Sequence, residues 1–262
     1  MKRPLITLLT DFGAQDHYVA AMKGVILGIC PQAVIVDISH EISPFQIASG
    51  AYTLAQAALA FPPGTIHVAV VDPGVGSPRR AIAARANRQI FLGPDNGLLS
   101  MAFGTSRATV VEITNRKLFR VPVSSTFHGR DIFAPVAAHL ATGLRWSQLG
   151  PRLDDWHRGD FLLPQQTGSA NWTGSVLSID HFGNIITNFP WMEFGGVFRE
   201  GFQLKFGRVR IEASSAIYED APAETLFILC GSSGFAEISL RQGSAAKKIG
   251  TLSDMSLSLR RS

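Results

Sequence analysis

Apolar positions along the first 150 residues follow two alternating rhythms. Short, nearly unbroken apolar runs over 5–9, 33–38, 66–71 and 109–113 have the length of buried strands. Between the first two, Tyr18, Ala21, Met22, Val25 and Ile29 recur at the spacing of one helix face. A second, Ala-rich helix is predicted to open at Pro44-Phe45-Gln46, run to about residue 60 and close at Pro62-Pro63-Gly64. Two more short apolar runs, 81–84 and 89–92, follow. A third helix is predicted over 131–142, with Ile132, Val136 and Leu140 on one face. Its Pro135 falls near the first turn, where a missing N–H costs little. Strands alternating with helices predict a mainly parallel sheet covered on both faces, an α/β/α sandwich. In such sheets ligands bind beyond the carboxyl ends of the strands. Three polar segments are expected at such ends: Thr10-Asp11-Phe12-Gly13, Asp72-Pro73-Gly74-Val75-Gly76 and Gly93-Pro94-Asp95-Asn96-Gly97.

The rhythm changes after about residue 150. Turn residues over 159–168 read as a linker. Beyond 173 only short strand-like runs follow, at 176–179, 184–188, 202–206, 209–211, 226–229 and 235–240, separated by Gly, Asn and Asp. No further helix is predicted. This half reads as a smaller antiparallel β domain, barrel-like or a sandwich. The expected organisation is therefore an α/β domain over 1–160 and a β domain over 170–262.

Composition narrows the class. The chain has 262 residues, 46% of them hydrophobic and 17% charged, which excludes a disordered polymer or a coiled coil. A net charge of +4 is small and scattered, and no basic stripe interleaved with aromatics accompanies it, so no nucleic-acid partner is expected. The apolar run after Met1 is too short for a signal-peptide core, and no stretch of about 18 apolar residues occurs, so no membrane partner is expected. Cys30 and Cys230 form neither a CxxC nor a disulfide framework. They read as buried free thiols, and the expected location is the cytoplasm.

Taken singly, the polar segments are ambiguous. Asp72-Pro-Gly-Val-Gly-Ser-Pro-Arg79 is either a tight turn or a loop whose glycines let backbone approach a ligand. Asp11 is either a helix N-cap or an acceptor for a ribose diol. Asp-Phe-Gly also occurs in protein kinases, but no glycine-rich loop or Val-Ala-Ile-Lys segment accompanies it. His128 precedes a predicted helix, where the helix dipole disfavours the imidazolium. Asp180-His181-Phe182-Gly183-Asn184 and Gly231-Ser232-Ser233-Gly234 both satisfy the rules for turns. The histidines lack ligand spacing for zinc, and no phosphate-binding loop is present.

Together these segments resemble one family in order along nearly the whole chain: TDFGAQDHYVAAMKG, VDPGVGSPRR, GPDNGLL, STFHGRDIFAPVAAHLA, IDHFGNIITN and GSSGFAEISLRQGSAAKKIG. The family is that of the adenosine-forming S-adenosylmethionine (SAM) hydrolases, or SAM hydroxide adenosyltransferases, relatives of the SAM-dependent fluorinase and chlorinase. The resemblance implies a homotrimer whose sites lie between the N-terminal domain of one subunit and the C-terminal domain of the next. It implies a water-activating triad at Asp72, Arg79 and His128, and a ribose-binding carboxylate at Asp11. It implies further that Phe45 and Phe127 wall the nucleoside. Asp180, Phe182 and Asn184 match residues that hold the methionine amine and the adenine, and Ser232 and Ser233 match the segment near the methionine carboxylate. The halogenases carry tyrosine at the position of Asp72, lack the histidine at His128, and have Ser-Arg-Gly where this chain has Ser232-Ser233-Gly234. SAM is then the substrate, and no cofactor or metal is expected. A halogenase, or a non-catalytic binder of SAM or adenosine, are the alternatives.

Overall fold

The computed structural model describes residues 3–250 and 256–262, and the chain divides into two compact units, Met1–Gly159 and Asp160–Ser262. Unit 1 contains β1 (Leu5–Thr10), α1 (Tyr18–Ile29), β2 (Val34–Ser39), α2 (Ile47–Ala58), β3 (Ile66–Val70), β4 (Ala81–Ala86), β5 (Gln89–Pro94), β6 (Thr109–Glu112) and α3 (Ala134–Ala141). They build a six-stranded sheet in the order β2-β1-β3-β5-β4-β6. The β1–β2, β1–β3 and β3–β5 pairings are parallel, and β4 runs antiparallel to both its neighbours. The expected mainly parallel sheet is thus present, with an antiparallel edge added by the β4–β5 hairpin.

Alternation along β1 shows why both faces are covered. Ile6 and Leu8 join Met22 and Ile26 of α1 and Val136 and Ala137 of α3 in one apolar cluster. Leu9 points the other way, towards α2, which approaches closely because of Gly50. A Cβ there would stand 2.8 Å from Leu98 and 2.9 Å from Val71. Substituting Gly50 would push α2 off the sheet.

Unit 2 holds β7 (Gln165–Gly168), β8 (Asn171–Ile179), β9 (Ile185–Pro190), α4 (Trp191–Glu200), β10 (Phe202–Phe206), β11 (Val209–Ile211), β12 (Ala213–Ser214), β13 (Leu226–Cys230), β14 (Phe235–Leu240), α5 (Ala245–Ile249) and β15 (Ser256–Arg261). The strand order is β11-β10-β15-β8-β9-β14-β13-β12, with β7 paired to β8. The two ends of that order, β11 and β12, are consecutive in the chain and separated by Glu212 alone. The sheet therefore nearly closes on itself, which is the barrel-like form. The long strand β8 turns the corner: its first half pairs with β15 and its second with β9. The interior is filled by residues such as Phe189, Leu204, Ile228, Ile238 and Leu257.

Several expectations need correction. A ten-residue helix, α4, lies where none was expected. Its buried face is Phe194, Gly195 and Phe198, and the Gly195-Gly196 pair lowers helix propensity enough to hide the period. The short helix α5 was also unexpected, as were β7, inside the presumed linker, and β15. The third helix does not run evenly from 131: Gly129–Phe133 forms a π turn, and α3 begins only at Ala134. Cys30 is buried as expected, but Cys230 is exposed. Among the described residues no helix is long and apolar enough to cross a membrane.

Candidate functional site

Two residues beyond the end of β3, Asp72 opens a turn in which Val75 N–H donates to the Asp72 carbonyl and Ser77 N–H to that of Gly74. Gly76 has φ 80°, and a Cβ there would run into the Ser125 carbonyl. Only glycine lets this turn pack against the loop that carries His128. Arg79 returns along the turn. Its Nε donates to Asp72 Oδ1 at 2.9 Å, and one terminal nitrogen donates both to Asp72 Oδ2 and to His128 Nδ1, the latter at 2.8 Å. The Asp72 side chain is 4% exposed and that of Arg79 is 11% exposed. Three residues from distant parts of the chain thus meet in one hydrogen-bonded cluster.

A guanidinium has no acceptor, so His128 Nδ1 must accept and the ring proton resides on Nε2. Burial depresses the His128 pKa, and the Arg79 charge adds to this against the opposing pull of Asp72 and Asp131. Both effects favour the neutral ring.

The loop before His128 is tied down by Asp131, whose side chain is fully buried. Its carboxylate accepts from Arg130 at 2.7 and 2.9 Å and from the Ser124 N–H at 2.9 Å. Burial alone would raise the Asp131 pKa, but Arg130 and the Ser124 amide hold it below the usual carboxylate range. The Arg130 guanidinium also lies over the Phe127 ring, 4.8 Å from its centroid.

Asp72 and His128 face a cavity of about 450 Å³ whose walls include Asp11, Phe45, Phe127 and Tyr18. Asp11 follows β1 directly. Its Oδ2 accepts the Phe45 N–H at 3.0 Å, holding Phe45 at φ 67°, a conformation uncommon for a bulky residue. The Phe45 ring is 68% exposed. Burial raises the Asp11 pKa, the Phe45 amide opposes this, and the nearby Asp72 charge reinforces it. Phe127 is buried and packs edge-to-face with Phe12 and Tyr18, at 5.9 and 5.1 Å.

Unit 2 has its own cavity, of about 730 Å³, lined in part by Asp180, Phe182, Asn184 and Ser232. The β8–β9 connection fixes the first three. Asn184 donates its backbone N–H to Asp180 Oδ1 at 2.8 Å and its side-chain amide to Oδ2 at 2.9 Å. Phe182 projects outward, 74% exposed. Ser233, unlike Ser232, does not line this cavity.

Sequence reasoning missed Tyr218, Glu237 and Cys230 among the residues of this cavity. Tyr218 donates its hydroxyl to Glu237 Oε1 at 2.5 Å and accepts from the Asn184 amide at 3.4 Å. Burial, reinforced by Glu237, pushes the Tyr218 pKa up to about 12. Cys230 also lines the wall. The available signal was the acidic residue within the otherwise apolar run Phe235-Ala236-Glu237-Ile238. Tyr18 of unit 1 was read only as part of a helix face. Among the described residues no group of three or more His, Cys, Asp or Glu is placed to hold a metal.

Comparison with known proteins agrees with this layout. Residues 6–150 match the model of the SAM hydroxide adenosyltransferase N-terminal domain, and residues 174–256 match that of its C-terminal domain. A protein of Salinispora arenicola named (R)-S-adenosyl-L-methionine hydrolase is 38% identical over 248 residues, 93% of this chain and 92% of its own. A crystal structure of an uncharacterised conserved protein from Thermotoga maritima superposes with a TM-score of 0.84 at 37% identity, covering 98% of this chain and all of the other. An Actinoplanes fluorinase is 29% identical over 71% of each chain. With both domain models matched in order and the fold shared over 98% of its length, the chain belongs to the SAM hydroxide adenosyltransferase family.

Proposed function

We propose that this protein hydrolyses S-adenosyl-L-methionine to adenosine and L-methionine, by attack of water or hydroxide at the ribose C5′ carbon. The observation that carries this reading is the buried Asp72–Arg79–His128 cluster, two of whose members face a cavity that also contains Asp11. The substrate is a sulfonium. Attack forms the C5′–O bond as the C5′–S bond breaks, and sulfur takes the bonding pair and leaves as a neutral thioether. A neutral thioether needs no proton, so the reaction calls for no general acid and no Lewis-acid metal. It calls for an aligned water and an environment that favours hydroxide.

The cluster fits that requirement. Each Asp72 oxygen takes one Arg79 N–H and keeps a lone pair for a water. His128 Nε2–H is the complementary donor, so the two side chains hold a water between acceptor and donor. Arg79 supplies the positive charge that stabilises hydroxide as it forms, in a site where buried charges act strongly. The water's proton departs through Asp72, because His128 Nε2 already carries a proton and Nδ1 is occupied by Arg79. The buried carboxylate would repel a halide approaching the same face, which favours water over halogenation.

Around this centre, Asp11 accepts from the ribose diol and Phe45 and Phe127 wall the nucleoside. Asp180, Phe182 and Asn184 take the adenine and the methionine amine, and Ser232 with Ser233 take the carboxylate. As the resemblance to the SAM hydroxide adenosyltransferases implies, we further propose a homotrimer in which the N-terminal unit of one copy and the C-terminal unit of the next complete each site. Two unpaired cysteines fit a reducing cytoplasm.

Incubation with SAM should release adenosine and methionine in equal amounts. Asp72→Ala should lower kcat by about 10²–10⁴-fold with a change in KM of a fewfold only. Undiminished turnover by Asp72→Ala would overturn the assignment of the cluster.

A further inference from the structure

The third polar segment expected at a strand end, Gly93-Pro94-Asp95-Asn96-Gly97, has no part in the proposed reaction, and neither Asp95 nor Asn96 lines the cavity of unit 1. Its place in the sheet gives it another task. The loop that carries Asp72 and Arg79 leaves the carboxyl end of β3 at Val71 and enters β4 at Ala81. These two strands are not neighbours: β5 lies between them, parallel to β3 and antiparallel to β4. The loop must therefore span the carboxyl end of β5, which is where Asp95 and Asn96 stand.

Each of the two holds one end of the loop. Asn96 donates its side-chain amide to the Val71 carbonyl at 2.9 Å, one residue before Asp72, while its Oδ1 accepts from the Leu98 N–H at 3.1 Å. Asp95 holds Arg80, one residue after Arg79. Its Oδ2 accepts from Arg80 Nε at 2.7 Å and from Nη2 at 2.6 Å, and its N–H donates to the Arg80 carbonyl at 3.0 Å. The same carbonyl accepts from Arg79 Nη1 at 3.4 Å, so the contact extends to the guanidinium of the cluster. Asp95 and Arg80 are fixed in turn from outside the loop. The His157 N–H donates to Asp95 Oδ1 at 2.8 Å, and Arg80 Nη1 donates to Asp155 Oδ1 at 2.8 Å. The Asp95 side chain is 3% exposed, a burial that a carboxylate tolerates only with its charge and hydrogen bonds compensated. We propose that Asp95 and Asn96 are positioning residues: they clamp the two ends of the 72–79 loop and so set the spacing at which Asp72, Arg79 and His128 present the water. A misplacement of about 1 Å can cost about 100-fold in rate, so the clamp should show in turnover and not in binding. This inference rests on the reading of that cluster as the water-activating group.

A double-mutant cycle on SAM turnover tests it. Asp95→Asn keeps the shape but removes the charge that holds Arg80. It should lower kcat at least about tenfold with KM within about threefold of the wild type. In Asp72→Ala, which has already lost the group being positioned, the same substitution should cost less than about twofold. A role in general stability would cost the same factor in both backgrounds. Asn96→Asp keeps the acceptor for Leu98 but loses the donor to Val71, and it should behave alike. If Asp95→Asn does not fold, Arg80→Lys keeps a cation on Asp95 without the fork of donors and carries the same comparison. The proposal is overturned by folded variants that turn over within about twofold of the wild type, by a loss confined to KM, or by equal losses in the two backgrounds. Any of these with an impaired Asp72→Ala sinks this proposal alone. Full turnover by Asp72→Ala sinks the reading of the cluster with it.

Discussion

Arg79 binds both partners of its cluster at once, and the direction of each hydrogen bond follows from what a guanidinium can do. It donates to Asp72 and to His128 Nδ1, so a proton added to His128 must enter where Arg79 already points. Burial and the Arg79 charge therefore work together to keep the ring neutral. If the neutral ring is the active form, the acid limb of a kcat/KM profile for SAM must lie below pH 6.5, the ordinary histidine value. Activity at pH 6.5 should therefore remain above about half its value at pH 8. A limb centred above 6.5 would show that another group limits the rate or that His128 is not held this way. The identities of these three residues were legible as motifs in the sequence, because turn chemistry and a run of six ordered segments mark them. Their mutual geometry was not, since 49 positions separate Arg79 from His128 and tertiary contacts such as that between Gly76 and Ser125 close the gap. Glu237 and Tyr218 were illegible for the same reason: their meaning comes from a partner in another strand or loop.

Among the elements, β3 combines two demands. It is central in the sheet and must deliver Asp72 to the cavity, and all five of its residues are buried. One of them is His67, fully buried, bonded to Thr7 Oγ1 at 2.7 Å and stacked on Phe91 at 4.9 Å. Burial lowers its pKa to about 4. The unfolded chain binds a proton near 6.5 that the folded state refuses, so stability is lost as pH falls from 6.5 towards 4 and changes no further from this group below that. The full loss is roughly 3 kcal/mol, at about 1.4 kcal/mol per pH unit. Denaturant unfolding at pH 7 and pH 5 should show it. His128, also depressed, contributes in the same window, whereas Asp37 and Asp131 lose their stabilisation only below the ordinary carboxylate pKa of 3.8. His67→Phe should therefore reduce the pH dependence without abolishing it; an unchanged slope would contradict the assignment. The sequence showed β3 clearly as a continuous apolar run, and the helices of unit 1 by their period. It hid α4 because two glycines interrupt the face that Phe194 and Phe198 share. It also hid the π turn that carries Gly129 and Asp131 and packs against α1.

At the scale of the whole molecule, the functional groups fall into two sets on two compact units. Unit 1 has the cluster suited to activating water, and unit 2 has the cavity suited to the base and the amino acid. If one copy's unit 1 works with its neighbour's unit 2 in a closed ring, two differently disabled chains can rescue each other. Asp72→Ala disables unit 1 and leaves unit 2 intact; Asn184→Ala removes the side chain that links Asp180 to Tyr218 and disables unit 2. Each variant alone should be nearly inactive. Co-expressed in equal amounts and assembled at random, they should form sites with both halves intact about one time in four, and recover about a quarter of wild-type turnover. Sites contained within single chains can recover nothing, because every chain then carries one lesion in its own site. Mixing the two variants after separate purification controls for exchange: recovery that appears only on co-expression marks a stable oligomer, whose mass sedimentation should report as three chains. Absence of recovery with both variants folded would assign each site to one chain and remove the reason for proposing the trimer.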